Sequence, residues 1–440
     1  MITALQLLLS LSILVVLHEL GHFSAAKYFK TKVEKFYLFF NPGFELYKKQ
    51  IGETEYGIGW LPLGGYVKIA GMIDESFDTE QMKEEPKPWE FRSKPAWQRL
   101  IIMVGGVFVN FVLGIFLFSM ILFVWGESYI DPTSLKDGIA VTDLANKIGL
   151  RDGDDIISVG DREFDKFSGG VITRELVINQ ARTIKVRRNG GEHLIEVPKE
   201  VIPELTKYEN SKDVLIAPRY PYEIGVIDEG SPGQQAGLQL GDQIIAISGE
   251  PTPFAHNVVK GLEAVESEEI DITIMRRGQS RDISIVRKEG KIGIRTYGLD
   301  KYVSTAYQKY SLSESVPAGW NKSWSFLTDQ IKAFGQMFRG QIKPSDGLGS
   351  FITIGKMFGP TWDWQRFWTM TASLSILLAF INLLPIPALD GGYVMFLIYE
   401  TISGRKVPDK VMEIANFAGF VLLMMVMVFA IGNDIIKNFF

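Results

Sequence analysis

The sequence predicts an α-helical polytopic membrane protein: four transmembrane helices, with two small β-rich repeats inserted between the second and the third. Three observations carry that reading. Four runs hold no charged side chain: Ile2–Leu17, Leu100–Trp125, Phe367–Leu389 and Ile414–Asn433. One stretch of the middle recurs at a fixed offset. Charged residues still make up 22% of the 440, so the chain joins two kinds of material.

A helix crosses the hydrocarbon core with about 20 apolar residues, and helices buried in soluble proteins are rarely so uniform. The first run lacks a basic leader and a small-x-small cleavage site. Its helical pattern continues through His18 to Phe29, so it is expected to remain in the mature protein. The predicted spans are 1–29, 99–125, 367–390 and 412–435. The stretch 30–98 is rich in Lys and Arg, and the short loop 391–411 holds Arg405, Lys406 and Lys410. Basic flanks stay in the cytoplasm. Both loops are therefore expected there, with both termini and the region 126–366 on the other side.

Residues 149–159 read Gly-Leu-Arg-Asp-Gly-Asp-Asp-Ile-Ile-Ser-Val, and 237–247, 88 positions on, read Gly-Leu-Gln-Leu-Gly-Asp-Gln-Ile-Ile-Ala-Ile. Ile184–Gly190 echoes Ile272–Gly278 at the same offset. Two diverged copies of one domain, 126–219 and 220–300, explain this most economically. Each has a short helix closed by Gly149 or Gly237, a Gly-Asp turn and an alternating strand. Glycine suits the helix end because it carries no Cβ at positive φ. The pattern of Ala236–Gly249 resembles the PDZ domains of bacterial periplasmic proteases; the first copy is a weaker match, with Asp161 in place of Gly249. PDZ domains bind extended peptides by strand addition. Peptide capture, with Tyr222, Ile224 and Gly225 lining a groove, and passive size filtering are both open.

Val316, Trp320, Trp324, Leu327, Ile331, Phe334 and Phe338 recur at three- and four-residue steps, one face of an amphipathic helix within 311–340. It either packs on the repeats or lies on the membrane surface; a linker, 341–366, follows. Tyr56–Lys68 alternates and breaks at Gly64-Gly65, which reads as a β-hairpin spanning about residues 54–70.

The first span ends in His18-Glu19-Leu20-Gly21-His22. Histidines four apart share a helical face, and an H-E-x-x-H helix binds zinc with its Glu as general base. Two of the chain's four histidines are here; His193 and His256 lie in the repeats and are expected at the surface. A charge at mid-bilayer costs about 2.5–3.5 kcal/mol, which a bound metal offsets. Cysteine is absent, which removes thiolate chemistry and Cys-ligated metals. A net charge of −5 argues against nucleic acid as a partner, and no small-molecule cofactor beyond the metal is implied. A catalytic zinc takes three protein ligands and keeps one position open. The third ligand should be a carboxylate from another span. Asp390 borders the third run, in Asn382-Leu-Leu-Pro-Ile-Pro-Ala-Leu-Asp390-Gly-Gly392. Pro385, Pro387 and the glycines interrupt the helix there, as is tolerated where backbone lines a cavity.

H-E-x-x-H in the first span, N-x-x-P-x-P-x-L-D-G-G in the third and two PDZ-like copies between them resemble the site-2 proteases of the regulator-of-sigma-E type, over essentially the whole chain. The resemblance implies an inner-membrane zinc endopeptidase that cuts the transmembrane helix of anti-sigma factors, after a site-1-type protease has removed their outer part. It implies Asp390 as third ligand and Asn382 as a substrate contact, with Pro385 and Pro387 beside it. It also implies a membrane-dipping hairpin whose Gly64, Gly65, Tyr66 and Val67 pair with the unwound substrate. Gly106 and Ser350 stand where the family usually has Pro, and both departures are expected to touch no ligand. A membrane-tethered PDZ adaptor and a metal transporter are the rival classes. An intact Glu19 argues against the first. Against the second, the second and fourth spans offer few polar groups beyond Asn110 and Asn416.

Overall fold

The computed structural model describes residues 2–62, 64–72, 85–207 and 214–439. It divides into two compact units, one of residues 1–126 with 309–440 and one of 127–308. The first unit holds α1 (Ile2–Tyr28), α2 (Ala96–Trp125), α3 (Leu312–Phe338), α4 (Phe351–Met357), α5 (Trp364–Leu383), α6 (Asp390–Ser403) and α7 (Asp409–Phe439). Helices α1, α2, α5 and α7 are long and apolar enough to cross a membrane, in agreement with the four predicted spans.

Helix α2 is the hub, with α1, α3, α5 and α6 packed on it. Lipid tails are as apolar as leucine, so close backbone approach and buried polar contacts hold such helices together. Gly21 of α1 lies so near α2 that a Cβ on it would sit 2.8 Å from Gly106 Cα. Ser10 and Thr371 hydroxyls meet at 2.9 Å between α1 and α5, and Ser375 donates to the Asn110 carbonyl at 2.7 Å.

The amphipathic helix forms as α3; its fully buried residues are Ser315, Gly319, Ser323 and Gln336, while Val316, Trp320, Trp324, Ile331 and Phe338 of the predicted apolar stripe stay exposed. The helix packs along α2 and α5. Gly319 abuts Ser119, the Trp320 ring meets Phe111 at 6.0 Å, and Phe334 meets Phe380 at 5.2 Å.

Residues 33–69 form β1 (Val33–Leu38), β2 (Phe40–Ile51), β3 (Thr54–Leu61) and β4 (Tyr66–Ile69), in the order β2-β3-β1-β4. This corrects the expected hairpin over 54–70. Strands β3 and β4 do not pair with each other; β1 lies between them, parallel to β3 (Phe36 opposite Tyr56) and antiparallel to β4 (Phe36 opposite Val67). The hairpin of this sheet is β2–β3, turned at Gly52 with φ +61°. Buried Tyr37 fixes the arrangement. Its ring covers Gly57, where any side chain would collide with it, and stacks on Tyr66 at 5.3 Å.

In the second unit β5 (Glu127–Ile130) pairs with β18 (Thr305–Gln308). Between them run two copies of one plan. The first has β6 (Ile139–Val141), β7 (Asp155–Val159), β8 (Arg162–Glu163), β9 (Thr183–Arg188), β10 (Gly191–Glu196) and β11 (Ile216–Pro218). The second has β12 (Ile224–Ile227), β13 (Gln243–Ile247), β14 (Glu250–Pro251), β15 (Glu269–Arg276), β16 (Gln279–Val286) and β17 (Ile294–Thr296). Their sheets run β10-β9-β7-β8 and β14-β13-β15-β16. The 88-residue offset survives into the irregularities. Register slips occur between Ile156 and Ser158, and between Ile244 and Ala246. Arg188 clasps Asp154 and donates to Gly149 O at 3.1 Å; Arg276 clasps Asp242 and donates to Gly237 O at 2.8 Å.

Candidate metal centre

Helix α1 buries a stripe at every fourth residue: Gln6, Ser10, Leu14, His18, His22 and Ala26. The two histidines therefore face α2 one turn apart. Asp390 is the first residue of α6, and Gly391 and Gly392 fold that helix back: side chains on them would strike the Leu384 carbonyl and Pro387 Cα. The three side chains converge. Nε2 of His18 and Nε2 of His22 are 3.2 Å apart, and Asp390 Oδ2 lies 3.2 and 3.3 Å from them.

This triangle suits a metal better than a hydrogen-bonded cluster. Charge-assisted N–H to carboxylate bonds run at about 2.7–2.9 Å, shorter than either contact here. Zinc bonds of about 2.0–2.1 Å in a tetrahedron give edges of roughly 3.3–3.4 Å. Asp390 Oδ2 is buried and accepts no hydrogen bond of good geometry. The residues present thus fit a zinc ion, two imidazoles and one carboxylate being a known catalytic donor set. Among the described residues this is the one group of three His, Asp or Glu side chains so placed.

Neighbours orient the candidate ligands. His22 Nδ1 lies 2.9 Å from the Ile102 carbonyl; as the donor there it leaves Nε2 free to ligate. His18 Nδ1 faces the Asn110 amide at 3.1 Å, and Oδ1 of that amide is buried without a partner. A ligating His18 carries its proton on Nδ1, and turning the amide gives that proton an acceptor. Asn382 Nδ2 lies 3.2 Å from His18 Nε2. Gly106 corrects the expectation that its departure touches no ligand: it packs on both imidazoles, and a Cβ there would lie 2.7 Å from His18 Cε1. The Ser350 departure does stay clear of the ligands. Its N–H and hydroxyl donate to buried Asp434 at 2.9 and 2.6 Å, tying α4 to α7.

Strand β4 reaches the site. Gly65 is pressed against Val15 of α1 and the Tyr37 carbonyl, and a Cβ on it would lie 3.6 Å from Glu19 Cγ. Gly64, with φ +154°, lies under the Phe40 ring, and Tyr66 donates to Asn41 at 3.0 Å. Pro385 and Pro387 lie in the segment between α5 and α6. Tyr222 and Ile224 depart from expectation: both side chains are buried in the core of the second copy, and Gly225 abuts Tyr297 backbone, so the two side chains line no groove. His193 is exposed, as expected, whereas His256 is half-buried 2.8 Å from Asp152. Sequence reasoning missed Asp434 and the contacts of Asn416; a lone polar residue in or beside an apolar run was the available signal.

The profile of peptidase family M50 matches residues 6–426. The regulator of sigma-E protease RseP of Escherichia coli K12 is 26% identical over 449 residues, covering 97% of each chain. A putative zinc metalloprotease of Ralstonia nicotianae is 26% identical over 480 residues, covering 100% of this chain and 99% of its own. Another, of Neisseria meningitidis, is 27% identical over 457 residues, covering 99% of each.

Proposed function

The chain belongs to peptidase family M50, the site-2 proteases, and is a zinc metalloprotease with four apolar helices; from that premise we propose which bond it cuts and which residues cut it. Its substrate is the transmembrane segment of a single-pass protein of the anti-sigma-factor type, delivered after a first protease has trimmed the outer part. The sigma-E regulators among its relatives support this choice.

His18, His22 and Asp390 hold the zinc. The observation that carries this assignment is the 3.2–3.3 Å triangle of their ligating atoms. Zinc, when bound, lowers the pKa of a coordinated water to about 7 and polarises a carbonyl. Glu19 takes the proton of the attacking water and passes it to the leaving amine. A helical substrate hides its peptide bonds in i→i−4 hydrogen bonds, so it must unwind. Strand β4 is an edge of its sheet and lies beside Glu19. Strand addition along Gly64–Val67 holds the extended form, with Asn382, Pro385 and Pro387 contacting it near the ligands.

The two repeats are PDZ domains on the periplasmic side, as are both termini. Burial of Tyr222 and Ile224 favours filtering by size over capture through those side chains.

Glu19→Gln in purified enzyme should retain zinc and lose cleavage of a helical membrane substrate, by about 10²–10⁴-fold. Cleavage at an unchanged rate would remove Glu19 from the base role. His22→Phe should lose the metal, and chelator should stop the wild type. An adaptor would show no cleavage at all, and a transporter would move metal into vesicles.

A further inference from the structure

The segment between α5 and α6 decides where Asp390 points. Leu389 N–H donates to the Ile386 carbonyl at 3.1 Å, with Pro387 and Ala388 between them. Ala388 has φ +76°. Proline second and positive φ third mark a type II turn, whose third position usually falls to glycine. A side chain is crowded in that region of backbone space. Here alanine occupies it, two residues before a carboxylate that must meet two imidazoles.

Helix α7 holds this turn. Asn416 is buried; its Oδ1 accepts from Ala388 N–H at 3.3 Å, and its Nδ2 donates to Tyr393 Oη at 3.3 Å. Tyr393 lies in the first turn of α6. One amide therefore grips the chain just before Asp390 and just after it. Gly419, nearly one turn along α7, completes the fit: Pro387 packs so closely there that a Cβ would lie 3.1 Å from Pro387 Cα and closer still to its carbonyl.

We propose that Asn416, seated by Gly419, is a positioning residue: it holds the strained 386–389 turn and thereby aims Asp390 at the metal. It acts through Ala388 and Tyr393, away from substrate. The inference rests on Asp390 being a zinc ligand.

The readout is zinc affinity of the full-length protein in detergent, by competition with a chelator, so no turnover is needed. Asn416→Ala should weaken zinc binding about tenfold, the low end for residues that orient ligands. Ala388→Gly alone should stay near wild type. In the Asn416→Ala background it should restore most of the affinity, because glycine adopts the turn unaided. A general packing role for Asn416 would not be repaired at position 388. Tyr393→Phe keeps the ring and should weaken binding in the same direction by a smaller factor; it carries the test if Asn416→Ala fails to fold. Asp390→Ala is measured beside them. If it binds zinc like the wild type, the ligand assignment fails and the proposal falls with it. If it loses zinc while Asn416→Ala and Tyr393→Phe keep it, or if Ala388→Gly repairs nothing, the ligand stands and the clamp is overturned.

Discussion

Gly106 is a place where a single methyl group should decide metal binding. It lies against both imidazoles, with α1 and α2 already in backbone contact at Gly21 and Gly105. The helices have no slack to separate, so a Cβ must push the rings. Gly106→Ala should lower zinc affinity at least tenfold, in the range seen when ligand orientation is disturbed. Helicity should hold or rise, since alanine is the better helix former. Metal content after a chelator wash, with circular dichroism alongside, checks this; full zinc retention would mean that the rings move aside freely. The three residues of the proposed zinc site were legible in the sequence, His18 and His22 by spacing and Asp390 as the acid bordering the third apolar run on its loop side. Gly106 was not. A glycine in a span signals close packing without saying that its neighbour is an imidazole.

At the scale of elements, whatever repeats along the chain could be read and whatever depends on a distant partner could not. The 88-residue repeat reappears in strand order, register slip and ion pair because each is local to a copy. Alternation marked the strands in 54–70 but could not reveal that β1, from earlier in the chain, lies between them. The Asp–Arg clasp of each copy carries a prediction. Burial raises the Asp242 pKa, but the Arg276 hydrogen bond and the Gln239 N–H together hold it below the usual carboxylate range. A carboxyl depressed on folding adds stability that is present in full above its unfolded value of about 3.9 and is lost as pH falls through the folded one. Asp242→Asn should therefore loosen β13–β16 at neutral pH by about 1.5–3 kcal/mol, the range for hydrogen bonds to charged groups. The deficit should shrink as pH falls below about 4, where the wild type protonates as well. Hydrogen-exchange protection factors for 243–247 and 269–286 read this out, and 155–159 and 183–196 serve as the unaffected copy. An equal deficit at pH 3 and pH 7 would assign the effect to lost packing.

For the molecule as a whole, the centre is built from one end of each contributing helix. Residues 18–22 lie toward the end of α1, Ile102–Asn110 in the first half of α2, Asn382 at the end of α5 and Asp390 at the start of α6. Each of those ends joins residues 29–95, the turn at 384–389 or, through α6, the loop at 404–408. Two of these connections hold the basic clusters that the positive-inside rule puts in the cytoplasm. Residues 127–308 leave from the opposite end of α2. The orientation proposed above would put the zinc site near cytoplasmic water, which hydrolysis consumes, and the repeats in the periplasm. The chain has no cysteine, so single cysteines report the orientation without background. Arg405 and Lys288 are both exposed. In spheroplasts, a membrane-impermeant maleimide should label Lys288→Cys at once and Arg405→Cys only after lysis. The reverse pattern would put the repeats in the cytoplasm, where they could not screen a substrate whose outer part is trimmed in the periplasm.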